Sequence, residues 1–192
     1  MRNLIAILFR PAETIQRILA QPQDRMVIPL VLLAVCANAL RDVALEKLQQ
    51  TAGNPKVLGI VAAVCVGMMM IAVGAFYVLA WIAVLIGRIF DGQGSVRAMR
   101  SALAWGLAPV ILSLVYRLPM VFLPQPSGFF AIAFFALLRA ALVLWWVAIT
   151  SVTIAEAEKF SPWSGLATLV LTALAPAVVM GAALLTMFLT KH

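Results

Sequence analysis

"VLGIVAAVCVGMMMIAVGAFYVLAWIAVLI", residues 57–86, is a run of about 30 residues without a charged side chain. As an α-helix it would be about 45 Å long, whereas the hydrocarbon core of a bilayer is about 30 Å thick. No turn-forming residues divide the run into two shorter helices. The stretch therefore predicts one transmembrane helix that tilts or protrudes from the bilayer.

The rest of the chain has the same membrane character. It is 65% apolar and 11% charged, with a mean hydropathy of +1.08, whereas globular domains are about 45–50% apolar and about 25% charged. The sequence predicts an all-α, polytopic membrane protein with two parts, a cytoplasmic amphipathic segment (1–25) and a five-helix transmembrane domain (26–192). The predicted spans are 26–45, 57–86, 102–123, 128–155 and 163–189.

The segment before the first span has the pattern of a surface helix. Pro11 fits a first helical turn, and Ile15, Ile18 and Leu19 form an i, i+3, i+4 apolar stripe flanked by Arg10 and Arg17. We expect this amphipathic helix to lie in the cytoplasmic interface of the bilayer. The alternative is that its arginines only set the topology.

The distribution of Lys and Arg predicts the orientation. With the N-terminus inside, the inner segments hold eight basic residues and the outer segments hold five. Because cytoplasmic loops are enriched in Lys and Arg, this count favours a cytoplasmic N-terminus and an external C-terminus.

Two stretches carry a family resemblance. "RPAETIQRILAQP" (10–22) and "FDGQGSVRAMRSALAWGLAPVIL" (90–112), together with five spans, resemble bacterial members of the Yip1 family of small five-span membrane proteins. The resemblance implies a multi-pass protein of the bacterial inner membrane. Eukaryotic relatives are associated with vesicle traffic and prenylated GTPases through a longer N-terminal region, which this sequence lacks, so we do not expect that partner.

The side chains that enzymes need are scarce. The sole histidine is His192, and the "GQGS" of residues 92–95 lacks the Lys and Ser/Thr of a phosphate-binding loop. We therefore expect no enzyme, no cofactor, no metal site and no nucleic-acid partner.

Small residues recur every four positions on two predicted helices, a spacing that lets helices approach closely. We predict seams of internal helix packing there, and a homodimer face is the alternative. The positions are Gly59, Ala63, Gly67, Ala173, Ala177 and Gly181.

Polar residues inside the spans are the candidate functional site, because charge at membrane depth is costly and usually faces protein or water. The candidates are Asn38, Arg41, Asp42, Arg117 and Arg139. One hypothesis is an internal ion pair between Arg139 and Asp42, the second a basic cavity for a lipid phosphate, and the third a conduction path for a small anion or a proton.

These patterns favour a non-enzymatic protein that organises membrane or binds lipid. The expected partners are the lipid bilayer, an anionic lipid, and a second copy of the chain or another membrane protein. A small transporter or channel is the rival class.

Overall fold

The computed structural model describes residues 2–20, 24–39, 55–122 and 128–189, and these residues form helices and no strands. Two short helices come first, followed by a 3₁₀ turn (Asp24–Met26) and longer apolar helices. The α-helices are α1 (Arg2–Phe9), α2 (Pro11–Ala20), α3 (Val27–Ala39), α4 (Pro55–Ile89), α5 (Val96–Gly106), α6 (Ala108–Leu112), α7 (Leu114–Phe122), α8 (Phe129–Glu158) and α9 (Pro162–Leu189).

Three helical segments are long and apolar enough to cross a membrane: Gly59–Ile89, Val96–Leu118 and Phe129–Glu158. Two further apolar stretches, α3 (Val27–Ala39) and the Pro162–Val178 part of α9, are shorter than a span over the positions whose side chains are described. The predicted membrane character is confirmed at this level. Residues 40–54, which include the end of the first predicted span and most of the connection to the second, and residues 123–127, between the third and fourth predicted spans, lie outside the described residues.

The third predicted span begins earlier than expected and is not continuous. The helix starts at Val96 instead of residue 102, and it is interrupted at Leu107 and at Ser113. Pro109 follows the first interruption by two residues and lies in the first turn of α6. Because proline has no N–H and crowds the preceding turn, α-helical hydrogen bonding cannot run unbroken through this point.

Helix α8 lies at the centre of the bundle, in contact with α9, α5, α2 and α6. A core cluster that includes Met99 and Ile154, both fully buried, fills the space between α4, α5, α8 and α9. The connections 90–95 and 159–161 lie together at one end, which we call the loop end. The large apolar side chains of α4 and α8 are exposed, such as Ile71 (73%) and Leu144 (70%), as expected of a surface that faces lipid.

The N-terminal helices pack against protein. Ile15 is fully buried and Ile18 is 4% exposed, and both belong to a core cluster with residues of α3, α5 and α8. Leu19 is half-buried against the same cluster, while Arg10 and Arg17 are exposed. The prediction that this apolar stripe faces the bilayer interface is therefore wrong for Ile15 and Ile18, because apolar side chains of α3, α5 and α8 cover them.

The predicted small-residue seams are not positions of close internal helix packing among the described residues, and the alternative of a homodimer face stays a prediction. Gly59, Ala63, Ala173 and Ala177 are exposed, and a Cβ atom at Gly59 or Gly67 would meet no atom within 4 Å. Gly181 lies in α9, at a position whose side-chain environment is outside the description.

The close helix contacts use other glycines. A Cβ at Gly106 would lie 2.8 Å from Oγ1 of Thr150, and a Cβ at Gly165 would overlap the Ser151 carbonyl. These contacts bring α5 and α9 close to α8. The small residues that allow close helix packing are therefore Gly106 and Gly165, which face α8.

Candidate functional site

Three of the predicted polar residues line one cavity. Asn38 comes from α3, Arg117 from α7 and Arg139 from α8, and the cavity measures about 90 Å³. These residues are separated by up to 101 positions in the sequence (139 − 38) and meet because α3, α6 and α8 pack together. We call this space the basic cavity.

Arg117 is held by contacts to α3. Its Nη1 donates to the Ala37 carbonyl and lies 3.5 Å from Oδ1 of Asn38. Its Nε donates to the Tyr116 hydroxyl at 3.3 Å, and the guanidinium carbon lies 5.8 Å from the centre of the Tyr116 ring. These are neutral acceptors and a ring face, so within the described part of the chain no carboxylate neutralises the positive charge of Arg117.

Arg139 differs from Arg117 because it has no such contacts. Its side chain is exposed, and among the residues that the structure describes it forms neither a hydrogen bond nor an ion pair. It lies 19 residues before the end of α8 at Glu158 (158 − 139), about 28 Å along the helix axis. Asp42 and Arg41, the other members of the predicted cluster, lie outside the described residues, so the Arg139–Asp42 ion pair stays a prediction.

The helix interruption forms one wall of the basic cavity. Pro109, Val110 and Ser113 line it, and the Ser113 hydroxyl donates to the Val110 carbonyl at 2.6 Å. Trp146 of α8 forms part of the opposite wall. The interrupted stretch between α5 and α7 therefore forms part of the wall of the cavity that Arg117 and Arg139 also line.

A second polar site lies at the loop end, and the sequence interpretation missed it. Glu158, the last residue of α8, is only 1% exposed. Its Oε2 accepts a 2.8 Å hydrogen bond from the Gly94 amide, whereas Oε1 is buried without a partner among the described residues. Its own backbone carbonyl accepts from the Gln93 amide at 3.0 Å. One residue thus ties α8 to the α4–α5 connection through two hydrogen bonds.

Three glycines surround this carboxylate. A Cβ at Gly94 would lie 2.6 Å from Cδ of Glu158, and one at Gly87 would lie 3.0 Å from the same atom. A Cβ at Gly92 would overlap Oε2 of Glu158 and lie 2.8 Å from the Gly87 carbonyl. We call Gly87, Gly92 and Gly94 the glycine cradle, because a side chain at any of them would displace the carboxylate.

Both helices that lead into this site end in the same type of cap. After α4, the Gly92 amide donates to the Gly87 carbonyl at 3.0 Å, and Asp91 has φ 60°. After α8, the Phe160 amide donates to the Ala155 carbonyl at 3.1 Å, and Lys159 has φ 62°. These are Schellman-type endings with a left-handed residue in the position where glycine is usual.

Comparison with protein families places the whole arrangement in one domain. A family model described as the Yip1 domain matches residues 5–185, which include both the basic cavity and the glycine cradle. The chain belongs to the Yip1 family. Neither the comparison with curated proteins nor the comparison with solved structures gives a match.

Within this Yip1 domain, the structure brings together three of the predicted site residues and adds one that the sequence analysis did not name. Asn38, Arg117 and Arg139 line one cavity, as their spacing on separate helices allowed. Glu158 was assigned to a polar loop, since the predicted fourth span ended at residue 155. A sequence signal did exist: Gly87, Gly92 and Gly94 form the densest group of glycines in the chain, and such glycines often allow close approach to another group.

Proposed function

We propose that this Yip1-domain protein is a five-span, non-enzymatic protein of the bacterial inner membrane that holds the anionic headgroup of a lipid in the basic cavity. The observation that carries the proposal is the placement of Arg117 and Arg139 on one cavity, with no carboxylate among its described lining residues. Two positive charges around about 90 Å³ favour an anion as the occupant.

The cost of placing a guanidinium in a membrane helix supports an anionic ligand. A charged side chain at membrane depth is unfavourable unless water, protein or a counter-charge solvates it. Arg117 has protein acceptors, whereas Arg139 has none among the described residues. A phosphate matches a guanidinium geometrically because it accepts two parallel N–H donors.

The topology is part of the proposal. The three spanning segments are joined by α3 and α9 to give five spans, with α1 and α2 as a separate N-terminal unit (residues 1–25) docked on the transmembrane domain. The excess of Lys and Arg on one side supports a cytoplasmic loop end and N-terminus, and an external C-terminus. The basic cavity then lies in the outer half of the bundle.

Lipid retention tests the headgroup site. The full-length protein is purified in detergent with phosphatidylglycerol and phosphatidylcholine in equal amounts, and the bound lipid is identified by native mass spectrometry. We expect preferential retention of phosphatidylglycerol, which Arg139→Gln and Arg117→Gln each reduce about tenfold, since each removes a charge-assisted hydrogen bond. Arg17→Gln, an exposed arginine of α2, is the matched control. Equal retention of both lipids by the parent protein would refute the proposal.

A double-mutant cycle separates this function from the internal ion pair. If Arg139 pairs with Asp42, Arg139→Leu lowers the free energy of unfolding and adding Asp42→Asn recovers much of the loss. For a headgroup site, the two substitutions have additive effects on stability, and Arg139→Leu weakens lipid retention by itself.

Transport of a small anion is the rival function, because a permeant anion would meet the same two arginines. Chloride flux through the purified protein in liposomes distinguishes the two classes. We expect no flux above that of empty liposomes, and flux that Arg139→Gln abolishes would favour the rival.

A further inference from the structure

A second cavity adjoins the basic one. It measures about 170 Å³ and lies between α4, α5, α8 and α9. Its walls are almost entirely apolar, with Phe76, Leu79, Leu103 and Leu169 among the lining side chains. We call it the apolar cavity. The apolar cavity is half-open, so a long apolar group can lie partly inside it and extend beyond it.

Trp146 lines both cavities. Its side chain is half-buried, and its Nε1 is buried with no acceptor among the residues that the structure describes. Because the basic and the apolar cavity share Trp146, a single ligand that is polar at one end and apolar at the other could occupy both spaces at once.

We propose that the apolar cavity takes one acyl chain of the anionic lipid whose headgroup occupies the basic cavity, an inference that rests on the proposed function. The chemistry of the two spaces matches the two parts of such a lipid. Arg117 and Arg139 face the phosphate, Trp146 lies between, and the apolar cavity receives methylene groups. The lipid is thus a bound component of the bundle, with one chain inside the protein and the headgroup held by charge.

The acyl chain gains little hydrophobic free energy on entering the apolar cavity, because the bilayer that it leaves is already apolar. Its gain comes from dispersion contacts with closely packed side chains, each of which is small but which add up over many atoms. The charge–phosphate contact therefore sets the preference for an anionic headgroup, and the apolar cavity sets where the chain lies. A measurement of chain position tests the inference more directly than affinity does.

Quenching of tryptophan fluorescence by brominated acyl chains measures that position. In a full-length variant, Trp146 is kept as the single tryptophan and the other four are replaced: Trp81→Phe, Trp105→Phe, Trp145→Phe and Trp163→Phe. Circular dichroism checks that this variant keeps its helicity. It is reconstituted in phosphatidylcholine vesicles that contain the same low mole fraction of chain-brominated phosphatidylglycerol or chain-brominated phosphatidylcholine. We expect stronger quenching by the brominated phosphatidylglycerol.

Two matched substitutions on α9 locate the chain. Ala173 lines the apolar cavity, whereas Ala177, one turn further along the same helix, is not among the lining residues; both side chains are exposed, so the two positions differ only in their place relative to the cavity. Ala173→Leu should reduce the extra quenching roughly two- to fivefold by occupying the space of the chain, and Ala177→Leu should leave it unchanged. If the single-tryptophan protein loses helicity, the difference in quenching between the parent and Trp146→Phe gives the same quantity.

The outcomes separate this inference from the proposed function. If phosphatidylglycerol is retained selectively but its brominated chains quench Trp146 no more than those of phosphatidylcholine, the chain site is refuted and the headgroup site stands. If neither selective retention nor selective quenching is found, both fail. Equal loss of quenching in Ala173→Leu and Ala177→Leu also refutes the chain site, because the effect is then not specific to the cavity.

Discussion

The Gly94 amide donates a hydrogen bond of 2.8 Å to Oε2 of Glu158, joining two residues that are 64 positions apart. The bond connects the end of the central helix α8 to the α4–α5 connection, and the glycine cradle leaves room for it. Since Glu158 is 1% exposed, this carboxylate is an internal structural group of the loop end.

Substitution in the glycine cradle should destabilise the protein. In Gly94→Ala the new Cβ would lie 2.6 Å from Cδ of Glu158, so the carboxylate or the loop must move. We expect the free energy of unfolding to fall by about 1–3 kcal/mol, the usual cost of overpacking, measured by denaturant titration in mixed micelles. Gly59→Ala is the control, because nothing lies within 4 Å of its Cβ position. It should be neutral or stabilise α4 by up to about 1 kcal/mol. A similar loss in both variants would contradict the cradle.

Two substitutions of Glu158 distinguish the contribution of its shape to stability from the contribution of its negative charge. Glu158→Gln keeps a carbonyl oxygen that accepts from the Gly94 amide and has almost the same volume, so we expect the unfolding free energy to change by less than about 1 kcal/mol. Glu158→Ala leaves that amide without its acceptor and opens a cavity, at a cost of about 2–4 kcal/mol. Unfolding in detergent, followed by circular dichroism, provides the comparison. If Glu158→Gln is as harmful as Glu158→Ala, the negative charge is the essential property.

The N-terminal helix α2 should be needed for stability of the bundle. Ile15 is fully buried, so Ile15→Ala should lower the unfolding free energy by about 2–5 kcal/mol and speed hydrogen exchange throughout α2. Arg17→Ala, an exposed change on the same helix, should have little effect. Equal exchange rates in the two variants would contradict the packing of Ile15 in the core cluster.

The proposed topology predicts opposite locations for two fusion sites. Green fluorescent protein, which fluoresces only when folded in the cytoplasm, should stay dark after residue 192. The same reporter placed after Phe160, at the loop end, should be bright. Alkaline phosphatase, which is active only outside, should give the reverse pattern. A bright fusion at residue 192 would mean that the span count or the orientation is wrong.

The membrane character could be read from the sequence because it depends on composition and on long apolar runs. The run 57–86 lies within α4, and the predicted span 128–155 corresponds to α8, which begins one residue later and ends at Glu158. The break at Leu107 was harder to place, since Pro109 indicates a local disturbance but not which residue leaves the helix. The basic cavity could be predicted in part, because membrane charges usually turn toward protein or water.

The burial of Ile15 and Ile18 could not be read from their spacing. An apolar stripe on a short helix fits a lipid surface and a protein surface equally well, and only the position of α5 and α8 decides between them. Glu158 was missed for a related reason, because a carboxylate in a charged connection is usually solvated. Its burial depends on glycines 64 to 71 positions earlier, a relationship that no local pattern contains.

The docked position of α2 also constrains how the protein is made. Gln16 donates a 2.8 Å hydrogen bond to Glu156, a residue 140 positions later in the chain. At synthesis rates of about 5–20 residues per second, Gln16 is synthesised roughly 7–28 seconds before this acceptor. Until α8 has been synthesised, the apolar stripe lacks part of the protein surface that covers it, and the bilayer interface offers it an alternative apolar surface. A photocrosslinker at position 15 should therefore label lipid in nascent chains stalled before α8 and label protein in the completed chain, whereas protein labelling in both would exclude a membrane-bound stage.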